Sequence, residues 1–152
     1  MIPKRIVIDT NVCLDLFVFR DPRWALLLAA MQDGTVEAVT RADCRMEWQI
    51  VLGYAHLPLE VDSRARSAAE FDALITCLPA AIPAVDALRL PLCKDRDDQK
   101  FLELARDAGA GILITKDKAL LKLARKTARA SMFEIMLPDA WVRLQQSEAV
   151  GD

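Results

Sequence analysis

The chain has 152 residues, of which 53% are hydrophobic and 28% are charged, and these values indicate one folded domain rather than a disordered protein. Its longest uninterrupted apolar run, residues 24–31, is too short to cross a bilayer, which needs about 20 residues. The net charge of −2 at pH 7 does not favour polyanion binding by the molecule as a whole, so any contact with nucleic acid has to be local. The four cysteines form no C-x-x-C pair and there is one histidine, which leaves zinc without a familiar ligand set and is typical of reduced thiols in a cytoplasmic protein.

The N-terminal half alternates between short apolar runs and amphipathic helical segments. Pro22 opens a helix after Asp21, Gly34 ends it, and Asp62 caps a later one. The predicted elements, in chain order, are a strand at 5–8, helices at 11–19 and 22–31, a strand at 36–39, and helices at 41–53 and 63–78.

The C-terminal half continues this alternation after a proline-rich stretch with prolines at 79, 83 and 91. The predicted elements are a short strand at 81–85, a helix at 99–108, a strand at 112–114, a helix at 118–129, a strand at 132–137 and a closing helix from 138 to 144. We expect a single domain over residues 1–144 and a polar, solvated tail at 145–152.

Alternating strands and helices predict parallel strands joined by right-handed helical crossovers, and therefore a three-layer α/β sandwich. In open sheets of this kind, ligands bind beyond the carboxyl ends of the strands. Asp9 directly follows the first strand, and Asp117 follows the strand at 112–114 through Thr115 and Lys116. We therefore expect Asp9 and Asp117 at the same edge of the sheet.

Each of these two aspartates has a plain structural explanation, because Asp, Thr and Asn all cap the free N–H groups at the start of a helix. The functional interpretation makes Asp9 and Asp117 metal ligands, with Asn11 positioning water, the metal or the backbone. That two strands end in an aspartate at one sheet edge favours the functional interpretation.

Two further acids are candidates for the same site. Asp98 closes a run in which Asp95, Asp97 and Asp98 precede a helix; one acid suffices as a cap, which is worth about 0.3–1 kcal/mol, so three need another explanation. Asp98 lies on the face that continues into the core, Asp95 is a secondary ligand or a loop residue, and Asp97 is the expected cap. Glu47 lies in the helix at 41–53, where a solvated glutamate is the alternative.

Carboxylates that share a small space need protons or cations to offset their repulsion. Oxygen ligands select hard cations, so we expect one or two Mg²⁺ or Mn²⁺ ions at this edge. A row of basic residues begins beside Asp117 and is either the solvated face of an amphipathic helix or a ridge that follows RNA phosphates. The residues of this row are Lys118, Lys122, Arg125 and Arg129. Lys116 lies nearer the expected pocket and is a separate candidate for contact with phosphates.

Four segments carry a resemblance to a known family. They are Ile6-Val7-Ile8-Asp9-Thr10-Asn11-Val12, Glu47 with Val51-Leu52, Asp95-Arg96-Asp97-Asp98-Gln99-Lys100-Phe101-Leu102-Glu103-Leu104-Ala105, and Ile114-Thr115-Lys116-Asp117-Lys118-Ala119-Leu120-Leu121. In this order they resemble the successive motifs of the PIN domain, across residues 5–137. Trp48 stands where the family usually has a small aliphatic residue, and residues 57–92 carry no family motif.

The resemblance implies a three-layer α/β/α sandwich around a mostly parallel five-stranded sheet, and a Mg²⁺- or Mn²⁺-dependent ribonuclease for single-stranded RNA. The family's four acids correspond to Asp9, Glu47, Asp98 and Asp117, and its supporting polar residues correspond to Asn11 and Thr115. The segment around Asp98 is similar to the branch of VapC-like ribonucleases, the toxin components of type II toxin–antitoxin pairs. This branch implies an antitoxin partner and a homodimer.

Other functions remain open at this stage. A catalytically silent PIN-like module that binds RNA or protein is the alternative from a different class. An aspartyl-phosphate hydrolase with Asp9 as nucleophile normally has a second carboxylate two residues later, where this chain has Asn11. Glycine loops that hold phosphates are absent from the sequence.

Overall fold

In the part of the chain that the structure describes, one five-stranded sheet forms the centre of the protein. The computed structural model describes residues 4–79 and 88–151. The strands lie in the order β3-β2-β1-β4-β5, and each neighbouring pair is parallel, which confirms the predicted fold class. They are β1 (Lys4–Ile8), β2 (Val36–Thr40), β3 (Ile75–Cys77), β4 (Ile112–Ile114) and β5 (Glu134–Met136).

Helices connect the strands and cover both faces of the sheet. Two single turns of 3-10 helix, Pro22–Trp24 and Arg96–Asp98, precede the second and fifth α-helix. The α-helices are α1 (Thr10–Phe17), α2 (Ala25–Asp33), α3 (Ala42–Leu52), α4 (Val61–Leu74), α5 (Gln99–Asp107), α6 (Lys118–Leu121), α7 (Ala124–Arg129) and α8 (Pro138–Gly151). Among the helices of residues 4–79 and 88–151, none has the length and apolar character that a membrane span requires.

The apolar core lies in two layers because side chains alternate across a strand. Ile6 and Ile8 of β1 point into a cluster shared with α1, α2 and α8. Val7 points to the opposite face, into a cluster shared with α5 and α6. A central parallel strand buried on both faces has a continuous apolar run, which is why β1 was recognisable from the sequence.

The register of the sheet brings the ends of β1 and β4 together. Ile8 pairs with Ile114, and the next amide along, that of Asp9, donates to the Ile114 carbonyl at 2.9 Å. The Thr115 amide in turn donates to the Met136 carbonyl of β5 at 3.0 Å. The residues that follow β1 and β4 are therefore neighbours at one rim, as expected from the parallel arrangement.

The predicted helix at 63–78 is wrong at its end. Helix α4 stops at Leu74, and residues 75–77 form β3, where Ala38 pairs with Ile75 and Thr40 with Cys77. Ile75 and Thr76 are β-branched and fit a strand. However, Phe71, Leu74 and Ile75 have helical spacing, so the sequence pattern does not show where helix α4 ends and β3 begins. The strand predicted at 81–85 lies outside the described residues.

The predicted helix at 118–129 is two short helices. At the junction the Leu123 amide donates to the carbonyl of Leu120, three residues back, at 3.0 Å, and the four-residue spacing resumes with Thr127 and Leu123. Leu120, Leu123 and Thr127 are all buried in this arrangement. The burial of these side chains therefore outweighs the local preference for one continuous helix. The closing helix α8 runs to Gly151, so residues 145–151 are helical, whereas the boundary of the domain at residue 144 stays a prediction.

Candidate metal centre

Asp9 lies at the carboxyl end of β1 and is 3% exposed. Its Oδ2 accepts a hydrogen bond of 2.7 Å from the hydroxyl of Thr115, which confirms that these two polar residues meet at the rim. Burial raises the pKa of Asp9 to about 6, against the hydrogen bonds from Thr115 and the Thr10 amide, and the negative charges of Glu47 and Asp117 raise it further. A carboxylate held in this way gains from a nearby cation.

Asp95, Asp98 and Asp117 form the tightest acidic group, with one oxygen from each lying within 4.8 Å of the others. Asp98 is 8% exposed, and among the described residues its Oδ2 is the buried side-chain oxygen without a hydrogen-bond partner. Burial raises the pKa of Asp98 to about 8, and the neighbouring Asp117 carboxyl and the charge of Asp9 raise it further. Buried polar atoms are almost always paired, so an unpaired oxygen in this position calls for a ligand.

Local capping holds the two outer members of this group in place. The Asp95 side chain accepts from the Asp97 amide at 3.0 Å and begins the 3-10 turn, so the cap is Asp95, and the expected cap Asp97 is exposed. The Asp117 side chain accepts from the Ala119 amide at 2.7 Å, and its own amide donates to the Thr115 hydroxyl at 2.9 Å. A capping carboxylate keeps free lone pairs for a second partner, so capping leaves Asp95 and Asp117 able to bind a ligand as well.

Glu47 reaches the rim from helix α3 and lies outside the group of three aspartates. Its Oε2 accepts from the Thr10 hydroxyl, and its Oε1 accepts from the Lys100 ammonium at 2.8 Å. Lys100 also donates to the backbone carbonyl of Asp97. Glu47 is close enough to Asp9 for its charge to raise the pKa of Asp9, so helix α3 does bring the fourth predicted acid to the site.

Trp48 explains how helix α3 is anchored. Its ring is 2% exposed, stacks on Phe71 with ring centroids 4.9 Å apart and meets Phe17 edge to face at 6.0 Å. Aromatic pairs of this kind add about 0.5–1.5 kcal/mol to their burial. The bulky residue therefore fixes α3 against α1 and α4, and the neighbouring Glu47 points to the rim.

The structure adds Thr10 and Lys100, which both contact Glu47, to the residues predicted for the site. The Asn11 side chain is exposed, and its supporting role stays a prediction. In the sequence, Thr10 lies between Asp9 and Asn11, and Lys100 follows Asp98 by two positions. Closeness to the predicted site residues is the sequence feature that could have indicated Thr10 and Lys100. A threonine or a lysine does not by itself indicate a carboxylate site. Their shared partner Glu47 lies on a different helix, so the sequence does not show these contacts.

The basic residues have different surroundings. Lys116 pairs with Asp15 at 2.7 Å, and Asp15 also accepts from the indole N–H of Trp24 at 3.1 Å, so the Lys116 ammonium already has a carboxylate partner; its contact with RNA stays a prediction. The side chains of Lys118, Lys122 and Arg125 are exposed. The break between α6 and α7 means that they do not form one continuous helical row.

A divalent cation fits the donors present. The three grouped aspartates offer only oxygen ligands, and Asp98 has a buried oxygen without a hydrogen-bond partner. Burial, followed by neighbouring acids, raises the pKa values of Asp9 and Asp98, so a cation would favour their charged forms. Oxygen-only sites are typical of Mg²⁺ and Mn²⁺. The four cysteines are free, and burial raises the pKa of Cys13 and Cys44, so these two are inert buried thiols.

Residues 5–119 match the model of the family described as PIN domain. The chain belongs to the PIN domain family. PIN domains are commonly nucleases and typically bind divalent metals, which agrees with the donors at the rim. The matched segment contains Asp9, Glu47, Asp98 and Asp117, and the fold continues beyond it through β5 and α8. A search of curated proteins returned no match.

Proposed function

We propose that this PIN domain is a Mg²⁺- or Mn²⁺-dependent endoribonuclease that hydrolyses phosphodiester bonds of single-stranded RNA. The observation that carries the proposal is the buried, unpartnered Oδ2 of Asp98 in a group with Asp95 and Asp117. Buried carboxylates with raised pKa values at a sheet rim are typical of functional sites, because a stable fold gains nothing from them.

The acids have different roles. Asp98, Asp117 and Asp9 would hold the ion, with Asp95 as a further ligand, and Glu47 orients the attacking water or completes the set. When bound, such an ion supplies an activated water and offsets charge on the phosphate. Thr115 serves two of the ligands at once, because its hydroxyl donates to Asp9 and accepts from the Asp117 amide. It keeps their carboxylates in place before substrate arrives.

We place the RNA along the exposed side chains of Lys118, Lys122 and Arg125, which begin beside Asp117. Cations near an RNA backbone release counterions and favour binding without reading the bases. Lys116 takes no part in this surface as long as it pairs with Asp15. Its role is to hold the segment between β4 and α6 against helix α1.

The similarity of the segment around Asp98 to VapC-like ribonucleases supports a toxin role in a type II toxin–antitoxin pair. An antitoxin protein partner and a homodimer are part of this proposal. Near the end of helix α1, Phe19 is 51% exposed, whereas the neighbouring aromatic residues Phe17 and Trp24 are buried. Phe19 is therefore an apolar side chain that a partner protein could cover.

Cleavage of total RNA at pH 7.5 tests the enzymatic proposal. We expect cleavage with Mg²⁺ or Mn²⁺, none with EDTA, and a loss of at least about a hundredfold for Asp98→Asn, which removes a charge that the ion needs. Asp97→Asn is the matched control, because Asp97 is an exposed acid in the same turn. Equal cleavage by wild type and Asp98→Asn would refute the proposal.

A thermal shift with Mn²⁺ separates the enzyme from a catalytically silent PIN module. Ligands that bind only the native state raise its stability, so we expect a higher melting temperature with Mn²⁺ for wild type and for Asp97→Asn. A silent module that has kept the fold without the ion would show no shift.

A further inference from the structure

The rim contains a cation of its own, the ammonium group of Lys100. It donates to Glu47 Oε1 at 2.8 Å and to the Asp97 carbonyl, and the side chain is 18% exposed. The Thr10 hydroxyl donates to the other oxygen of Glu47. Glu47 is thus neutralised and held on both oxygens by residues of the chain itself.

The acids of the site therefore fall into two groups with different needs. Asp95, Asp98 and Asp117 bring their oxygens within 4.8 Å of one another and include a buried oxygen that has no partner. Glu47 has two partners, and one of them is a full positive charge. Among the described residues, none forms an ion pair with these three aspartates, whereas Glu47 pairs with Lys100.

We propose that Lys100 is a positioning residue that takes the place of a second metal ion, so that the site holds one divalent ion beside Asp98 and Asp117. This inference rests on the proposed function, because it concerns the metal site of that nuclease. A second divalent ion on Glu47 would lie at hydrogen-bond range from the Lys100 ammonium, and like charges at that range repel strongly in a partly buried site. The ion would have to displace Lys100, which the Asp97 carbonyl also holds.

In this proposal, Thr10 and Lys100 hold the Glu47 carboxylate in place, and Glu47 is not a metal ligand. Its carboxylate keeps free lone pairs after accepting from Thr10 and Lys100. Glu47 can therefore orient a water molecule, while Asp98 and Asp117 would hold the ion. Lys100 therefore acts by positioning Glu47 and does not itself contact the reacting atoms.

Counting the bound Mn²⁺ ions tests this inference without any activity measurement. Calorimetric titration and the electron paramagnetic resonance signal of free Mn²⁺ both report the number of ions per chain. We expect one ion for wild type, two for Lys100→Met, because its neutral side chain frees Glu47, and one for Lys100→Arg, which restores the cation. The double variant Glu47→Gln with Lys100→Met should return to one ion, because the ligand for the second is gone.

Circular dichroism in EDTA verifies that each variant is folded at the temperature of titration, and Lys100→Gln serves as a second neutral variant with two ions expected. A count of two in wild type would overturn the role of Lys100 and leave the nuclease proposal standing. A count of one in Lys100→Met and Lys100→Gln would also overturn it, because Lys100 would then only support the turn before α5. No bound ion in wild type would overturn both this inference and the proposed function.

Discussion

Substituting Asp9 by asparagine is expected to stabilise the metal-free protein. The pKa of Asp9 rises from 3.8 to about 6, chiefly because the carboxylate is buried. A carboxyl group whose folded pKa is raised holds its proton in the native state after the unfolded chain has released it, so stability is lost as the pH rises from about 4 to about 6 and stays lower above that. At about 1.4 kcal/mol per pKa unit, this shift corresponds to roughly 3 kcal/mol at pH 7.5.

The side-chain amide introduced by Asp9→Asn would keep an oxygen for the hydrogen bond from Thr115 and carry no charge. In EDTA at pH 7.5 we expect the variant to be up to about 3 kcal/mol more stable in urea unfolding, or to melt roughly 6–12 °C higher for a domain of this size. The advantage should shrink to near zero at pH 4, where the wild-type residue is largely protonated in the folded state and partly so in the unfolded chain. With saturating Mn²⁺ the order should reverse, because the wild type gains binding energy that the variant lacks.

Asp97→Asn is the control, because this exposed acid lies in the turn before α5 and its substitution should change stability by less than about 0.5 kcal/mol. An Asp9→Asn variant that is no more stable than wild type in EDTA at pH 7.5 would refute the reasoning. A gain of the same size at pH 4 and pH 7.5 would refute it too, because the gain would then have no connection with the ionisation of Asp9.

Three other substitutions probe the frame of the site and its RNA surface. Thr115→Val should lower the stability in EDTA by about 1–3 kcal/mol in urea unfolding, because the carboxylate of Asp9 loses a buried donor, whereas Thr115→Ser keeps the hydroxyl and should lose less. Trp48→Ala should cost about 3–5 kcal/mol in the same assay through the cavity it leaves, and equal losses for Trp48→Phe and Trp48→Ala would contradict the role of the stacked rings. Lys122→Glu should weaken RNA binding and reduce its salt slope by about 0.7 or more, the value for one phosphate contact on a single strand. Lys4→Glu, at the opposite end of β1, is the control, and identical slopes for the two variants would remove Lys122 from the RNA surface.

The central strands of the sheet were predictable because their positions follow from local sequence. The run Ile6-Val7-Ile8 is apolar at every residue, as a strand covered on both faces has to be, and the same holds for residues 112–114. Parallel pairing then places whatever follows these strands at one edge. This is why Asp9 and Asp117 could be assigned to a common rim from the sequence.

Boundaries that depend on a distant partner were not predictable. Residues 75–77 continue the helical spacing of α4, and they become a strand because β2 offers its edge for pairing. The break between α6 and α7 likewise follows from the burial of Leu120 and Leu123. In both places tertiary contacts outweigh local propensity.

The candidate acids of the site could be predicted from the sequence, because each lies at the start of a helix or on a helix beside an apolar face. What the tertiary structure alone decided is which charges meet. Lys100 binds Glu47 across 53 positions of sequence, and Asp98 is left with a bare oxygen because the described residues offer it no donor. Spacing along the chain fixes which edge of the sheet a residue reaches, but the partner of a side chain depends on how separate helices pack.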